Sequence, residues 1–529
     1  MVIGLLLVAT VLLLCIIADK FSGRFGMPAL ILFIGIGMLF GSDGIVKIPF
    51  DNFEITEHIC TIALGLIMFY GGFNTKWNAA KPVAVKSLLL STVGVFMTAM
   101  LTMAFCCVVL KFKFAEGFLL GAVLSCTDAA SVFSILRKKK LNLKDGVASL
   151  LEIESGSNDP VAYMLTAVGI SLVNGENLST VPYAIFAQIV YGVAIGLVLA
   201  FLGIFILTKT KIVLNGLDTV FIVALVLLGL GLSSLVGGNA FLCIYLLGIL
   251  LGNSKIRNKK EIIPFFDGIT GLSQILIFFL LGLLAFPHKL PYIMGTAVVI
   301  GLFLLVIARP LTVIFLLKPF RCSMNQCLLV SWAGLRGASS IVFSIMAMAA
   351  GNDISRDLFH IVFMVSLISV ALQGTLLPYV SAKLDMIDEK ADVQKTFNDY
   401  QEESAITLMR MYIPKGHNWE NKLISEVHMP TGALALMIKR EKETIITRGS
   451  TRILAGDSLI LSVPTYNPDD DEGLEEIVIE KGHSWCNHSI EELKLPENVL
   501  IALIKRQDEN IIPDGKTVIE QDDVVVLYK

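Results

Sequence analysis

The chain is predicted to be a polytopic α-helical membrane protein of about 13 transmembrane helices with inverted repeats, followed by a cytoplasmic α+β tandem-repeat domain. Three observations predict this. Residues 1–380 are a succession of apolar runs, so mean hydropathy is +0.75 and only 16% of residues are charged, well below soluble domains. Basic residues fall on alternate connections between the runs. The tail repeats itself at a fixed offset. A net charge of −3 gives no general basic character, so no nucleic-acid partner is implied.

A bilayer core needs about 20 apolar helical residues per crossing. The segments that approach this, numbered 1 to 13, are 2–18, 27–43, 55–73, 83–110, 116–137, 146–173, 182–208, 217–236, 239–253, 262–286, 290–317, 325–350 and 356–380. Segment 1 has no basic leader and no small-residue cleavage site, so it is read as a retained span. Segments 8 and 9 meet at Gly237-Gly238. The connections following odd-numbered segments hold eighteen Lys and Arg, the others five. That asymmetry places the N-terminus outside and the tail in the cytoplasm. The Lys/Arg run at 137–140 is explained by topology alone. The nine Cys are an odd number without a CxxC pair, so they are read as reduced thiols rather than a disulfide framework or zinc site.

Residues 381–402 form a charged linker, expected to be helical over Ser381–Asp399. Beyond it, short alternating runs such as 457–463 and 523–527 indicate half-buried strands. Lys415-Gly416-His417-Asn418-Trp419 recurs as Lys481-Gly482-His483-Ser484-Trp485, 66 residues later. At the same offset Ile438-Lys439-Arg440 becomes Ile504-Lys505-Arg506, Gly449 becomes Gly515 and Asp457 becomes Asp523. The tail is therefore two copies of one module, 403–466 and 474–529, joined by the acidic link Asn467–Glu476. His417 and His483, at equivalent positions, are assigned to the module's fold. A fainter repeat relates Ala129-Ala130-Ser131-Val132-Phe133-Ser134-Ile135 of segment 5 to Ala338-Ser339-Ser340-Ile341-Val342-Phe343-Ser344-Ile345 of segment 12, which run in opposite directions. Segments 1–6 and 8–13 would be inverted repeats, with segment 7 as connector.

Acids inside the apolar segments mark a functional site, because a carboxylate at membrane depth is costly. Asp128 lies about 12 residues into segment 5, roughly 18 Å. Asp159 lies about 13 residues into segment 6 from the other side, roughly 20 Å. In a core about 30 Å thick both are near the midplane. Carboxylates beside the hydroxyls of Thr127 and Ser155 suit a hard monovalent cation. Two neighbouring buried carboxylates resist ionising together, so the same oxygens also take protons. Competition at one site, exposed alternately to each side, is sufficient for exchange. Arg336, also near the midplane, needs a counter-charge, and Glu154 is the predicted partner, with Asn158 as a hydrogen-bonding brace. Gly156 and Pro160 are expected to loosen segment 6, and Gly334 and Gly337 to loosen segment 12. Blander roles are assigned elsewhere. Glu152 is structural or at the entrance, Asn74, Asn239 and Gln373 pack helices, and Arg309 snorkels to the cytoplasmic edge.

These residues resemble a known pattern. Thr127-Asp128, Glu154-Ser155-Gly156-Ser157-Asn158-Asp159-Pro160, Gly334-Leu335-Arg336-Gly337 and Leu66-Ile67-Met68-Phe69-Tyr70-Gly71-Gly72-Phe73 are similar to motifs of the cation/proton antiporter superfamily, in its NhaP-type sodium/proton exchanger branch. The resemblance covers residues 1–380. It implies unwound crossing helices at segments 5 and 12, a mobile six-helix core and a dimerising scaffold. It implies that Asp159 exchanges cation and protons, that Asp128, Ser155 and the Thr127 main chain coordinate, and that Glu154 pairs with Arg336. An Asn158-Asp159 pair goes with electroneutral exchange in that family. The tail resembles the TrkA C-terminal module of regulators of potassium conductance, most clearly over Leu493–Pro496, Ile504–Arg506, Ile512–Gly515 and Asp522–Val526. Copy 1 departs, with Thr447-Arg448-Gly449 in place of Pro513-Asp514-Gly515. No Gly-x-Gly-x-x-Gly half precedes it, so no NAD or ATP cofactor is implied. In related proteins the module dimerises and binds cyclic di-AMP, which makes a small nucleotide the regulator class to test.

The expectation is thus a non-enzymatic, homodimeric potassium (or sodium)/proton antiporter of the bacterial inner membrane, its partners the lipid bilayer, monovalent cations and protons. A tail-gated cation channel and a membrane-anchored sensor with a vestigial transport site are the alternatives.

Overall fold

The computed structural model describes residues 2–25, 28–139, 141–176, 178–209, 217–256, 259–350 and 357–388 of the membrane part. In the tail it describes 406–427, 434–440, 443–464, 474–479, 485–493, 500–506, 509–511, 513, 515–521 and 523–528. They fall into two compact units, Met1–Tyr400 and Gln401–Lys529.

The apolar segments of the first unit are helical. Segments 1–4 are Val2–Phe25, Ala29–Phe40, Phe53–Asn74 and Ala84–Val108. Segments 6–11 are Val147–Val173, Val181–Lys209, Asp218–Leu235, Ala240–Gly252, Lys259–Leu284 and Pro287–Phe320, and segment 13 is Leu358–Lys383. Eight described helices are long and apolar enough to cross a bilayer, and four more are shorter but apolar. Gly237, with φ +73°, makes the turn between segments 8 and 9. With little hydrophobic force between helices in lipid, association rests on close backbone approach. Segment 9 shows this: a Cβ on Gly252 would fall 1.9 Å from the Phe73 carbonyl oxygen of segment 3.

Segments 5 and 12 are each two helices, Phe114–Val123 with Ala129–Lys138 and Met324–Trp332 with Ala338–Ala349. The related sequences 129–135 and 338–345 are the first turns of the two second halves. The halves also sort between two buried clusters. Leu119, Leu120 and Val123 belong with Ile341, Val342 and Phe343 to one, and Val132, Phe133 and Leu136 with Leu329, Val330 and Leu335 to the other. Each segment therefore changes cluster at its interruption, as two crossing broken helices must.

Segment 6 does not loosen as expected. It is one helix, Val147–Val173, with Pro160 inside. Proline is tolerated in membrane helices where neighbours meet the polar groups it disturbs. The carbonyl that loses its helical donor is that of Gly156, while Asn239 Nδ2 donates to the Pro160 carbonyl at 2.7 Å and ties this turn to segment 9. The linker departs too. Helix ends at Lys383, and the chain then runs back along 142–144, with Lys144 N–H donating to the Met386 carbonyl (2.9 Å) and Asp388 N–H to that of Asn142 (3.0 Å). The rest of the linker, the acidic link over 467–473 and His483 lie outside the described residues.

The tail holds β1 (Ile406–Tyr412), β2 (Leu434–Arg440), β3 (Glu443–Ile446) and β4 (Ser458–Pro464) in antiparallel order β1-β4-β2-β3. Then β5 (Leu474–Val478), β6 (Leu500–Arg506), β7 (Glu509–Ile511) and β8 (Val524–Tyr528) repeat the order as β5-β8-β6-β7. Even the register shift recurs, between Ala435 and Met437 and between Ile501 and Leu503. Each sheet is pinned by one bidentate pair. Arg440 donates to Asp457 at 2.7 and 2.8 Å, and Arg506 to Asp523 at 2.8 Å twice. Burial pushes both aspartates up, but the arginine and a backbone N–H outweigh it and hold them below the usual carboxylate range.

Candidate ion-exchange site

The site begins where the two interruptions meet. The Asp128 N–H donates to the Leu335 carbonyl at 2.8 Å, joining stretch 124–128 to stretch 333–337. Closeness here demands glycine, since a Cβ on Gly337 would lie 2.1 Å from Asp128 Oδ2. The interruption strands carbonyls at the end of the first half-helix of segment 5. Arg336 Nη1 donates to two of them, Ser125 at 3.0 Å and Cys126 at 2.5 Å. A cation at a helix C-terminus also complements the dipole. Asp128 opens the second half-helix as its cap, accepting from the Ser131 hydroxyl (2.7 Å) and N–H (3.4 Å).

Segment 6 closes on this crossing. Ser155 Oγ donates to the Thr127 carbonyl at 2.9 Å and Asn158 Nδ2 to Thr127 Oγ1 at 2.6 Å. Ser339 Oγ, two residues beyond Gly337, donates to Asp159 Oδ2 at 2.6 Å. The structure thus gathers Thr127, Ser155 and Asn158 directly, links Asp128 to Gly337, and ties Asp159 to the same half-helix. Asp159 is buried, Asp128 half-buried. Asp159 Oδ1 and Asn158 Oδ1 are buried with no hydrogen-bond partner among the described residues. Buried acceptors are normally satisfied, and an unmet carboxylate oxygen is expensive. A proton or a hard cation meets that need, since carboxylate and amide oxygens suit hard cations.

Glu154 does not pair with Arg336. It accepts from Arg309 Nη2 at 2.5 Å, with both side chains at most 3% exposed. Arg309 therefore does not snorkel. Nine residues before Lys318 is about 13 Å of helix, too deep to reach the edge once a carboxylate is beside it. Its side chain passes over Gly334, where a Cβ would stand 2.7 Å from Nε. Arg336 is already engaged by the carbonyls that the interruption of segment 5 exposes. Arg309, Ser131 and Ser339 are the site residues the sequence reading missed. The two serines had a signal, since each lies in the repeated Ala/Ser-rich stretch that starts a second half-helix. Gln373 packs helices as expected, donating to the Trp332 carbonyl (2.9 Å). Ser131, which holds Asp128, is also among the residues lining a cavity of about 240 Å³ between segments 1, 2, 5 and 10.

Two interrupted helices crossing at buried carboxylates define an ion-coupled secondary transporter. The sodium/hydrogen exchanger transmembrane family matches residues 8–383, and the TrkA-C domain matches 408–465 and 474–528. The chain belongs to the sodium/hydrogen exchanger family. It is 32% identical over 462 residues to the K(+)/H(+) antiporter NhaP of Alkalimonas amylolytica, covering 86% of this chain and 80% of that one. It is 31% identical over 464 residues to the K(+)/H(+) antiporter NhaP2 of Shewanella baltica, covering 86% and 79%. Among solved structures it resembles the sodium proton antiporter MjNhaP1 of Methanocaldococcus jannaschii at pH 8, with TM-score 0.64 and 22% identity, over 72% of this chain and 99% of that one. At that identity the likeness establishes the fold.

Proposed function

We propose that the protein is a secondary active antiporter exchanging a monovalent cation for protons, potassium foremost and sodium as the alternative. The observation that carries this is the pair of unmet buried oxygens, Asp159 Oδ1 and Asn158 Oδ1, beside the crossing. Potassium is favoured because relatives matching 86% of the chain are named potassium/proton antiporters. Those names also favour an antiporter over a tail-gated channel. Asp159 and Asp128 are the exchanging carboxylates, with Thr127 and Ser155 contributing oxygens and Asn158 bracing them.

Charge supports one-for-one, electroneutral exchange. Five ionisable groups meet at the core: Asp128, Asp159, Glu154, Arg309 and Arg336. With all ionised they carry one net negative charge. One proton or one monovalent cation brings the cluster to zero. The loaded forms can then cross a low-dielectric barrier, whereas the empty form is opposed by an uncompensated charge. Movement of segments 5, 6 and 12 against a dimeric scaffold would expose the site alternately.

The same reading includes thirteen crossings, inverted repeats 1–6 and 8–13, an outside N-terminus and a bacterial inner-membrane location. Residues 1–380 transport, 381–402 link, and modules 403–466 and 474–529 regulate from the cytoplasm, with a small nucleotide such as cyclic di-AMP as ligand. In proteoliposomes carrying a pH gradient, potassium or sodium should dissipate the gradient, and Asp159→Asn should abolish this. No cation-driven proton movement with either ion defeats the proposal.

A further inference from the structure

Segments 11, 12 and 13 enclose a cavity of about 140 Å³, and Arg309 and Arg336 both line it. Its walls depart from the regular α-helix. Segment 11 is π-helical over Leu304–Ala308 and segment 13 over Val370–Gly374, and Leu305, Leu372 and Gln373 of these turns face the space. Such wide turns are uncommon and recur at functional sites. A Cβ on Gly301, also in the lining, would meet no heavy atom within 4 Å, so segment 11 leaves open room there. Leu302 and Leu372 are 51% and 43% exposed, so the cavity opens on the outer surface of the helix bundle. Leu305 lies about 13 residues, roughly 20 Å, before Lys318. In a core about 30 Å thick that opening faces acyl chains rather than headgroups.

The polar groups of the wall are matched, with one exception. Ser331 Oγ donates to the Cys327 carbonyl (2.7 Å), Ser369 Oγ to Gln373 Oε1 (2.5 Å) and Gln373 Nε2 to the Trp332 carbonyl (2.9 Å). Arg336 holds the Ser125 and Cys126 carbonyls. Arg309 gives Nη2 to Glu154, but its Nε is buried with no partner among the described residues. That nitrogen lies against Gly334, which lines the same cavity. An unmet donor on a buried guanidinium is costly. A water needs two or more polar partners to stay, and the neighbouring hydroxyls and amide already have theirs. The wall therefore lacks an acceptor. Whatever supplies it must reach this depth through hydrocarbon, where an isolated ion is expensive. The volume is close to that of an apolar cavity of about 150 Å³ that holds benzene, so a ring or a few methylenes fill it. The rest of such a molecule would leave between Leu302 and Leu372 into the lipid.

We propose that this cavity binds an uncharged amphiphile dissolved in the bilayer, whose carbonyl oxygen accepts from Arg309 Nε; a protonated fatty acid and a quinone share that chemistry. Binding there is measured without transport, so its failure and that of the antiporter reading are separate outcomes.

The experiment photolabels the full-length protein in phosphatidylcholine nanodiscs with dodecanoic acid or with a decyl-tailed benzoquinone, each carrying a diazirine, and maps the labelled residues by mass spectrometry. Labelling should saturate around Leu305 and Leu372, and excess unlabelled compound should suppress it. Saturation by one probe alone identifies the source, and saturation by both shows that the carbonyl suffices. Dodecane carrying the same diazirine should bind about tenfold more weakly, the worth of a hydrogen bond to a charged donor. Gly301→Ile occupies the open room and should cut labelling about tenfold while the protein keeps its helical circular dichroism. The double variant Arg309→Met with Glu154→Leu removes the donor without stranding a charge, and should weaken the carbonyl probes about tenfold but not the dodecane. Labelling that rises linearly with both carbonyl probes, that Gly301→Ile leaves unchanged, or that dodecane matches overturns the assignment.

Discussion

Removing one member of the Glu154–Arg309 pair should do more harm than removing both. The Arg309 Nη2 to Glu154 Oε1 distance is 2.5 Å, and neither side chain is more than 3% exposed. Taking away one partner leaves a lone buried charge, which costs about 3–5 kcal/mol. Replacing both with apolar residues of similar volume removes two desolvation penalties together, and is close to neutral in comparable cases. Glu154 Oε2 and Arg309 Nε have no partner among the described residues, so the pair is incompletely satisfied and its joint loss is cheaper still. Arg309→Met and Glu154→Leu should each destabilise by about 3–5 kcal/mol and the double variant by no more than about 2, a coupling of at least ~4 kcal/mol. Arg336 donates instead to the carbonyls of Ser125 and Cys126, so the cycle of Arg336→Met with Glu154→Leu should couple by only about 1 kcal/mol. Denaturation in mixed dodecyl maltoside and SDS micelles, followed by tryptophan fluorescence, measures both cycles. A larger coupling for Arg336 than for Arg309 would refute the pairing seen here.

Further outcomes follow from single contacts. Ser339→Ala removes the 2.6 Å hydrogen bond to Asp159, and loss of a bond to a charged group predicts about a tenfold rise in the cation KM in the exchange assay. Gly337→Ala would set a methyl group 2.1 Å from Asp128 Oδ2, so exchange should be lost while the purified protein keeps its helical circular dichroism; a fully active variant would show that the crossing is not tight. In the tail, Asp457 has its carboxyl held below the usual range by Arg440, so its contribution is present above the unfolded value near pH 4 and is lost as pH falls through the lower folded value. Asp457→Asn should therefore weaken hydrogen-exchange protection of β4 by about 2 kcal/mol at pH 7 and by progressively less at a pH low enough to protonate the carboxyl. Equal loss at both pH values would exclude the charged pair as the cause.

Much of this was legible in the sequence because it is written in periodicity. Apolar length marked segments that are all helical, and the 66-residue offset anticipated two sheets with the same strand order and the same register shift. Asp128, Asp159, Thr127, Ser155 and Asn158 were visible as polar residues in the wrong solvent, and they occupy one neighbourhood. What the sequence hid was partner choice. Arg309 and Arg336 both lie deep in apolar segments, and linear depth cannot rank them as partners for Glu154. The deciding fact is three-dimensional. Arg336 faces the carbonyls of Ser125 and Cys126, which are free only because segment 5 is interrupted there. Pro160 misled for a related reason, since the group that steadies its turn is Asn239, 79 residues away.

Interruption and exchange are therefore one feature. A continuous segment 5 would satisfy its own carbonyls and leave Arg336 without acceptors. It would also remove the Asp128 N–H that now reaches Leu335 at 2.8 Å. Two second halves begin at the crossing, one after Asp128 and one after Gly337, and their N-terminal ends carry partial positive charge. Those ends set partial positive charge beside Asp128, which caps the first, and beside Asp159, which accepts from Ser339 of the second. The two arginines are engaged elsewhere, Arg309 by Glu154 and Arg336 by the Ser125 and Cys126 carbonyls. The arrangement leaves Asp159 with one oxygen held by Ser339 and the other without a partner among the described residues, open to a proton or a cation. A stronger permanent partner at Oδ1 would trap the cation-free form, and an apolar neighbour would trap the protonated one; exchange requires the intermediate state that the two interruptions produce.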